Sequence, residues 1–114
     1  MTTPSIPNAE SRLNTIYVAG PMSGYKDLNF PAFNVVADML RNQGYTVLNP
    51  ADHGVIEGAT WEDYLRFDIT KLIQCDTIYL LEGWQDSKGA QLEYLIAERL
   101  GMKMIYQESK KEVA

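Results

Sequence analysis

The chain has one cysteine, Cys75, and one histidine, His53, among 114 residues. A single thiol forms no internal disulfide, which fits a reducing compartment. His53 lies in the loop sequence NPADHG with no second His or Cys beside it. Neither a metal site nor a Ser-His-Asp arrangement is therefore expected. No apolar run reaches the length of a membrane span, and Met1 to Asn14 lack the apolar core of a signal peptide. The expected location is cytoplasmic, with no membrane partner. Positive charge is also scarce: ten Lys and Arg stand against fifteen Asp and Glu, a net charge of -5. A phosphate polymer calls for a basic field, so no nucleic-acid polymer is expected as partner. A small anion remains possible, because helix N-termini and backbone N–H groups can hold it locally.

What is present is ordinary globular material. Hydrophobic residues make up 46% and charged residues 22%, enough at this length for one core. Residues 1–14 carry two prolines and small polar residues and read as a flexible arm. Residues 108–114 are a polar tail. Between them, residues 15–107 alternate strand and helix patterns. Thr15 to Ala19, Tyr45 to Leu48, Thr77 to Leu81 and Lys103 to Tyr106 are short apolar strands. Pro31 opens a first helix and Gly44 stops it. Thr60 with Asp63 resembles a capping box for a second helix that runs to about Gln74. Ser87 is a fitting N-cap for a third, from Lys88 to Leu100.

The order βαβαβαβ predicts a single α/β domain: a parallel sheet with helices on both faces, flavodoxin-like or Rossmann-like. Right-handed crossovers favour strand order 2-1-3-4. Ligands of such sheets bind at the carboxyl ends of the strands where the order reverses. That selects two loops, Gly20 to Asn29 and Glu82 to Gly89.

Within these loops and the helices behind them a few residues stand out. Gly20 and Gly24 would let backbone approach a ligand, or simply make a tight turn; the segment is neither a P-loop nor GxGxxG. Glu93 shares a helix face with Gly89, Ala90, Ile96, Ala97 and Leu100. A carboxylate there is either used or reaches solvent at the helix edge. Asp68 falls on the apolar stripe of Trp61, Tyr64, Leu65 and Leu72, so it is hydrogen-bonded structurally or functional. Two carboxylates near one cleft suit glycoside chemistry. Ser87 and Gly89 open a helix whose N-terminus can hold a phosphate, or Ser87 is a plain cap. Trp84 follows the third strand, where it either packs or stacks on a base. Tyr17 sits on a buried strand and its hydroxyl needs a partner. Cys75 reads as core and Asp76 as a turn residue.

Taken together, YVAGPMSG at 17–24, Asp68 with Asp76 eight residues later before a strand, and SKGAQLE at 87–93 resemble the nucleoside 2-deoxyribosyltransferase superfamily. That superfamily includes the 2-deoxynucleoside 5-monophosphate N-glycosidases. The match is nearest to a branch of small phage and bacterial domains labelled deoxyribosyltransferase-like, and it runs from about Tyr17 to Tyr106. The resemblance implies that Glu93 is a nucleophile toward the anomeric carbon. It implies that Asp68 contacts the nucleoside and assists departure of the base, and that Tyr17 positions nucleophile or sugar. Gly20, Met22, Ser23 and Gly24 then fall in the nucleotide-binding loop, and Ser87 and Gly89 at positions that hold a 5-phosphate. The glycosidases' first-loop arginine has no counterpart: Met22 and Ser23 stand there, with Lys26 beyond.

The expected activity is cleavage or transfer of the N-glycosidic bond of a deoxynucleoside or its 5-monophosphate, in two displacements and without metal or organic cofactor. The expected partner is a small nucleoside or nucleotide, handled by a homodimer or larger homo-oligomer. The alternative is a non-catalytic module of the same fold that binds or sequesters nucleotides.

Overall fold

The computed structural model describes residues 9–108. The expected arm's first eight residues, and all but Glu108 of the expected tail, lie outside these. Residues Ala9–Arg12 form one 3-10 turn. The elements that follow are β1 (Thr15–Ala19), α1 (Phe30–Asn42), β2 (Thr46–Leu48), α2 (Trp61–Leu72), β3 (Thr77–Leu80), α3 (Lys88–Arg99) and β4 (Lys103–Tyr106). The four strands form one parallel sheet in the order β2-β1-β3-β4, as the crossover rule predicts. In register, Tyr17 lies between Leu48 of β2 and Ile78 of β3.

Burial follows the pleat. All five residues of the central strand β1 are buried, as a strand covered on both faces requires. Ile16 and Val18 point to one face, where they pack with Phe33, Val36, Ala37 and Leu40 of α1. Tyr17 and Ala19 point to the other, against Leu72 of α2 and Ala97 of α3. One helix thus covers one face and two cover the other, which gives helices on both faces.

Local chemistry sets the helix ends. The Thr60 hydroxyl accepts from Asp63 N–H at 3.1 Å, and the Asp63 carboxylate accepts from Thr60 N–H at 3.0 Å. This reciprocal pair fixes the start of α2 and stabilises it by about 1 kcal/mol. The Ser87 hydroxyl accepts from Ala90 N–H at 3.2 Å and starts α3. Gly44 closes α1 at φ +97°, where Tyr45 N–H donates back to the Leu40 carbonyl, so β2 begins one residue later than the apolar pattern predicts. No helix among the described residues is long and apolar enough to cross a membrane.

Candidate active site

The loops leaving the carboxyl ends of β1, β2 and β3 converge over the sheet and enclose a cavity of about 280 Å³. Gly20, Met22 and Ser23 come from the first loop, Pro50 and His53 from the second, and Ser87 and Gly89 from the third. Tyr17 forms part of the floor, and Asp68 of α2 and Glu93 of α3 project into the wall. Much of the remaining lining is apolar and aromatic, including Leu28, Phe30, Phe33, Trp61, Tyr64 and Leu65. This mixture of apolar wall and few polar groups is the usual make-up of a small-molecule site. A second cavity of about 450 Å³ adjoins it through Met22, Ser23, Trp61, Ser87 and Gly89, and also touches Tyr25, Glu62, Asp86 and Lys88.

Glu93 is only 5% exposed. Tyr17, with no exposed surface, donates its hydroxyl to the Glu93 carboxylate. The strand therefore supplies one donor to a carboxylate that the helix has placed out of water. Burial pushes the Glu93 carboxyl up to about 8; the Tyr17 hydrogen bond opposes that rise, and the charge of Asp68 adds to it. Tyr17 is itself driven well above the ordinary phenol range, first by burial and then by the Glu93 charge. Asp68, also buried, is pushed up to about 6 by its own desolvation, with the His53 charge pulling the other way. Two carboxyls of raised pKa in one cleft are the pattern expected where acid and nucleophile roles are divided.

Tyr17→Phe tests the coupling directly. A hydrogen bond to a charged acceptor is worth about 1.5–3 kcal/mol, so its loss should raise the Glu93 titration by about one unit or more. Side-chain carboxyl NMR against pH reads this; a downward shift would contradict the arrangement.

The first loop reaches the cavity by an unusual path. Asp27, Leu28 and Asn29 occupy the left-handed region in succession, at φ 52°, 54° and 60°. Such residues cost of order 1–3 kcal/mol each, and surrounding contacts must hold them. One such contact is the Asn29 side-chain amide, which donates to the Pro21 carbonyl at 2.9 Å. The turn returns Leu28 to the cavity wall.

Most of the residues singled out from sequence meet here: Tyr17, Gly20, Met22, Ser23, Asp68, Ser87, Gly89 and Glu93 line one cavity. Two do not. Gly24 lines neither cavity. Of the two readings of Trp84, packing or stacking on a base, the structure shows packing. The preceding Gly83 is left-handed, and the turn Trp84–Asp86 sends the indole back onto Tyr94, with ring centroids 4.7 Å apart. Asp76 is structural, accepting from Asn14 N–H at 3.0 Å and from the Thr77 hydroxyl at 2.8 Å.

His53 is the residue the sequence reading passed over. Its Nε2 lies 3.2 Å from Asp68 Oδ1. Its ring packs on Tyr64 and Phe67, at centroid distances of 5.2 and 5.7 Å. The available signal was positional: His53 follows β2, so its loop opens at the same sheet end as the other two. Among the described residues no group of three His, Cys, Asp or Glu side chains is placed to hold a metal.

A family profile described as "Domain of unknown function (DUF4406)" matches residues 14–106. No curated protein matches the chain. Among solved structures, a 2-deoxyribosyltransferase of the psychrotolerant bacterium Bacillus psychrosaccharolyticus superposes with a TM-score of 0.66 at 18% identity, covering 88% of this chain and 77% of that one. A 2-desoxiribosyltransferase of Leishmania mexicana gives 0.63 at 22% identity, over 81% of this chain and 62% of that one. At such identities the likeness is one of architecture: the chain has a nucleoside 2-deoxyribosyltransferase-like fold.

Proposed function

The chain belongs to the DUF4406 family, and from that premise and the site geometry we propose that it acts on the N-glycosidic bond of a 2-deoxynucleoside or its 5-monophosphate, with Glu93 as nucleophile. One observation carries the reading: a carboxylate buried in a mostly apolar cavity, held by a single phenol, at the carboxyl end of the sheet. Burying a carboxyl this way costs several kcal/mol of charged-state stability, a cost a purely structural side chain would avoid.

In the proposed reaction the base and sugar occupy the 280 Å³ cavity, with the aromatic walls against the base. Glu93 ionises and attacks C1 as the bond from C1 to the base nitrogen breaks. The Tyr17 hydroxyl keeps one carboxylate oxygen in place, so the other is free to attack. Water or a second base then displaces the carboxylate from C1. The sugar's 5-end would face Ser23, Ser87 and the α3 N-terminus, whose positive dipole end suits an anion or a hydroxyl oxygen. The two solved relatives named as 2-deoxyribosyltransferases support the reading at the level of fold. The functional unit in this account is residues 15–107.

The test is chromatographic. The protein is incubated with a panel of 2-deoxynucleosides and their 5-monophosphates, with and without a second free base. Release or exchange of base is the expected result. Tight binding of a nucleotide with no base released would instead favour a sequestering module.

A further inference from the structure

The cleft does not end at the cavity that holds Glu93. At Ser23, Ser87 and Gly89 it opens into the adjoining cavity of about 450 Å³. Those residues stand where the sugar's 5-end faces in the proposed reaction. The first cavity, at about 280 Å³, is itself just under the usual range for a ligand site, about 300–1,000 Å³. A group that occupied the annex while a nucleoside filled the first cavity would be joined to it through the 5-oxygen.

The annex has aromatic walls. Trp61, the first residue of α2, and Tyr25 of the first loop both line it, and each is 47% exposed. Large rings left half in water are surfaces that a stacked base covers. Both are held in place. Tyr25 lies across Gly83, where an added Cβ would stand 2.9 Å from its hydroxyl. A Cβ at Gly89 would stand 3.8 Å from Trp61 Cζ2, so the indole rests on the start of α3. Charge narrows the ligand further. Lys88 is the one cation among the described residues that line the annex, and Glu62 and Asp86 line it too. The first turns of α2 and α3 both open there, and the first N–H groups of a helix have no partner within it. Such a wall suits one negative charge better than several. A phosphomonoester carries about -1.5 to -2 at neutral pH, and a pyrophosphate bridge also exceeds one charge, whereas a phosphodiester carries one.

We propose that the annex seats a second nucleoside, so that the preferred substrate is a dinucleoside monophosphate. This rests on the N-glycosidic function proposed above. The 3-side nucleoside enters the first cavity. Its phosphodiester crosses at Ser23, Ser87 and Lys88, and the 5-side base lies against the Trp61 and Tyr25 rings. The bond broken is C1–N of the 3-side nucleoside, and its electron pair goes to the base nitrogen. In hydrolysis water is divided between the products, hydroxyl to C1 and hydrogen to the base, and the phosphodiester stays whole. The net charge of -5 disfavours a long phosphate polymer, so the fit is to two nucleosides and one phosphate.

Base release tests this on substrates that share one deoxynucleoside. They are the free nucleoside, its 5-monophosphate, its 5-(methyl phosphate), the dinucleoside monophosphate that carries it on the 3 side, and a pyrophosphate-linked analogue. Stacking of one base on an aromatic ring is worth about five- to a hundredfold. The dinucleoside monophosphate should exceed the methyl ester, which has the same charge and no second base, by that factor in kcat/KM, through a lower KM. Tyr25→Ala should lose most of this advantage and keep its rate on the free nucleoside. A dinucleoside monophosphate no better than the methyl ester overturns the proposal, and so does a 5-monophosphate or pyrophosphate-linked analogue that outruns it. Equal loss on every substrate in Tyr25→Ala, or no loss on the dinucleoside monophosphate, overturns it too. If that variant fails to fold, the wild-type comparison with the methyl ester decides alone. Base released from the nucleoside and none from the dinucleoside monophosphate sinks this assignment and spares the parent function. A wild type that releases base from none of these brings down the parent function, and this proposal with it.

Discussion

Glu93→Gln is expected to release no base and yet to melt at a higher temperature than the wild type, by a margin that grows with pH. In the proposed reaction, the loss of turnover follows from replacing the attacking oxygen anion by a neutral amide of the same shape. The gain in stability follows from linkage. The folded protein holds the Glu93 proton up to about pH 8, against an ordinary value of 4.5. A carboxyl with a raised folded pKa contributes full stability below its unfolded value. That contribution is lost as pH rises from about 4.5 toward about 8, because the unfolded chain ionises first. Each unit of difference corresponds to about 1.4 kcal/mol, so at pH 8 the wild type gives up roughly 4 kcal/mol that the glutamine variant keeps. In a domain of this size that is on the order of 10 °C in Tm. The amide oxygen still accepts from the Tyr17 hydroxyl, so the hydrogen bond survives the change. Melting curves at pH 5 and pH 8 check this. A gap that stays constant, or a wild type that is the more stable at pH 8, would contradict it.

The second large effect is expected at Gly20. A Cβ added there would stand 2.7 Å from the Leu81 Cβ and 2.8 Å from its Cδ1. Leu81 is 1% exposed and belongs to the core on the α1 face, so it has nowhere to go. Overpacking of this kind costs about 1–3 kcal/mol, and Gly20→Ala should lose that much in denaturant melting. It should also disturb the cavity, because Gly20 lines it. Shortening the neighbour tests the cause: in Gly20→Ala with Leu81→Ala the two costs should be less than additive. Strict additivity would mean that the two side chains do not collide.

Gly20 also shows how far the sequence could be read. From sequence it serves either close approach of a ligand or a tight turn. The structure adds a second reason, close packing on Leu81, which no local pattern contains because the two are 61 positions apart. The sheet was legible because short apolar runs, turn glycines and two caps repeat in a strict order, and right-handed crossovers leave few arrangements. The cleft followed from the strand order. Glu93 and Asp68 were legible as charges on apolar helix stripes, a local conflict that marks a site. Tyr17 could be seen to need a partner, but only the fold joins a strand to a helix 76 residues away.

Trp84 and His53 could not be placed from sequence, for physical reasons. The left-handed Gly83 reverses the chain and takes the indole out of the cleft. His53 is brought in by the short Pro50–His53 turn, which the loop composition alone does not orient. A search for metal spacing or a catalytic triad finds nothing at a lone histidine. Its partner, Asp68, lies on another element, and the pairing exists only in three dimensions.

The whole account depends on an acidic side chain, kept from water beneath the loops, forming a bond to a sugar carbon. A nucleoside of 2-fluoro-2-deoxyarabinose slows the second displacement, because the fluorine withdraws electrons from C1. After incubation with such a compound and acid quench, mass spectrometry should find one fluorosugar per chain, on the peptide that contains Glu93. Release of base with the chain unlabelled, or with the sugar attached at another residue, would contradict the account.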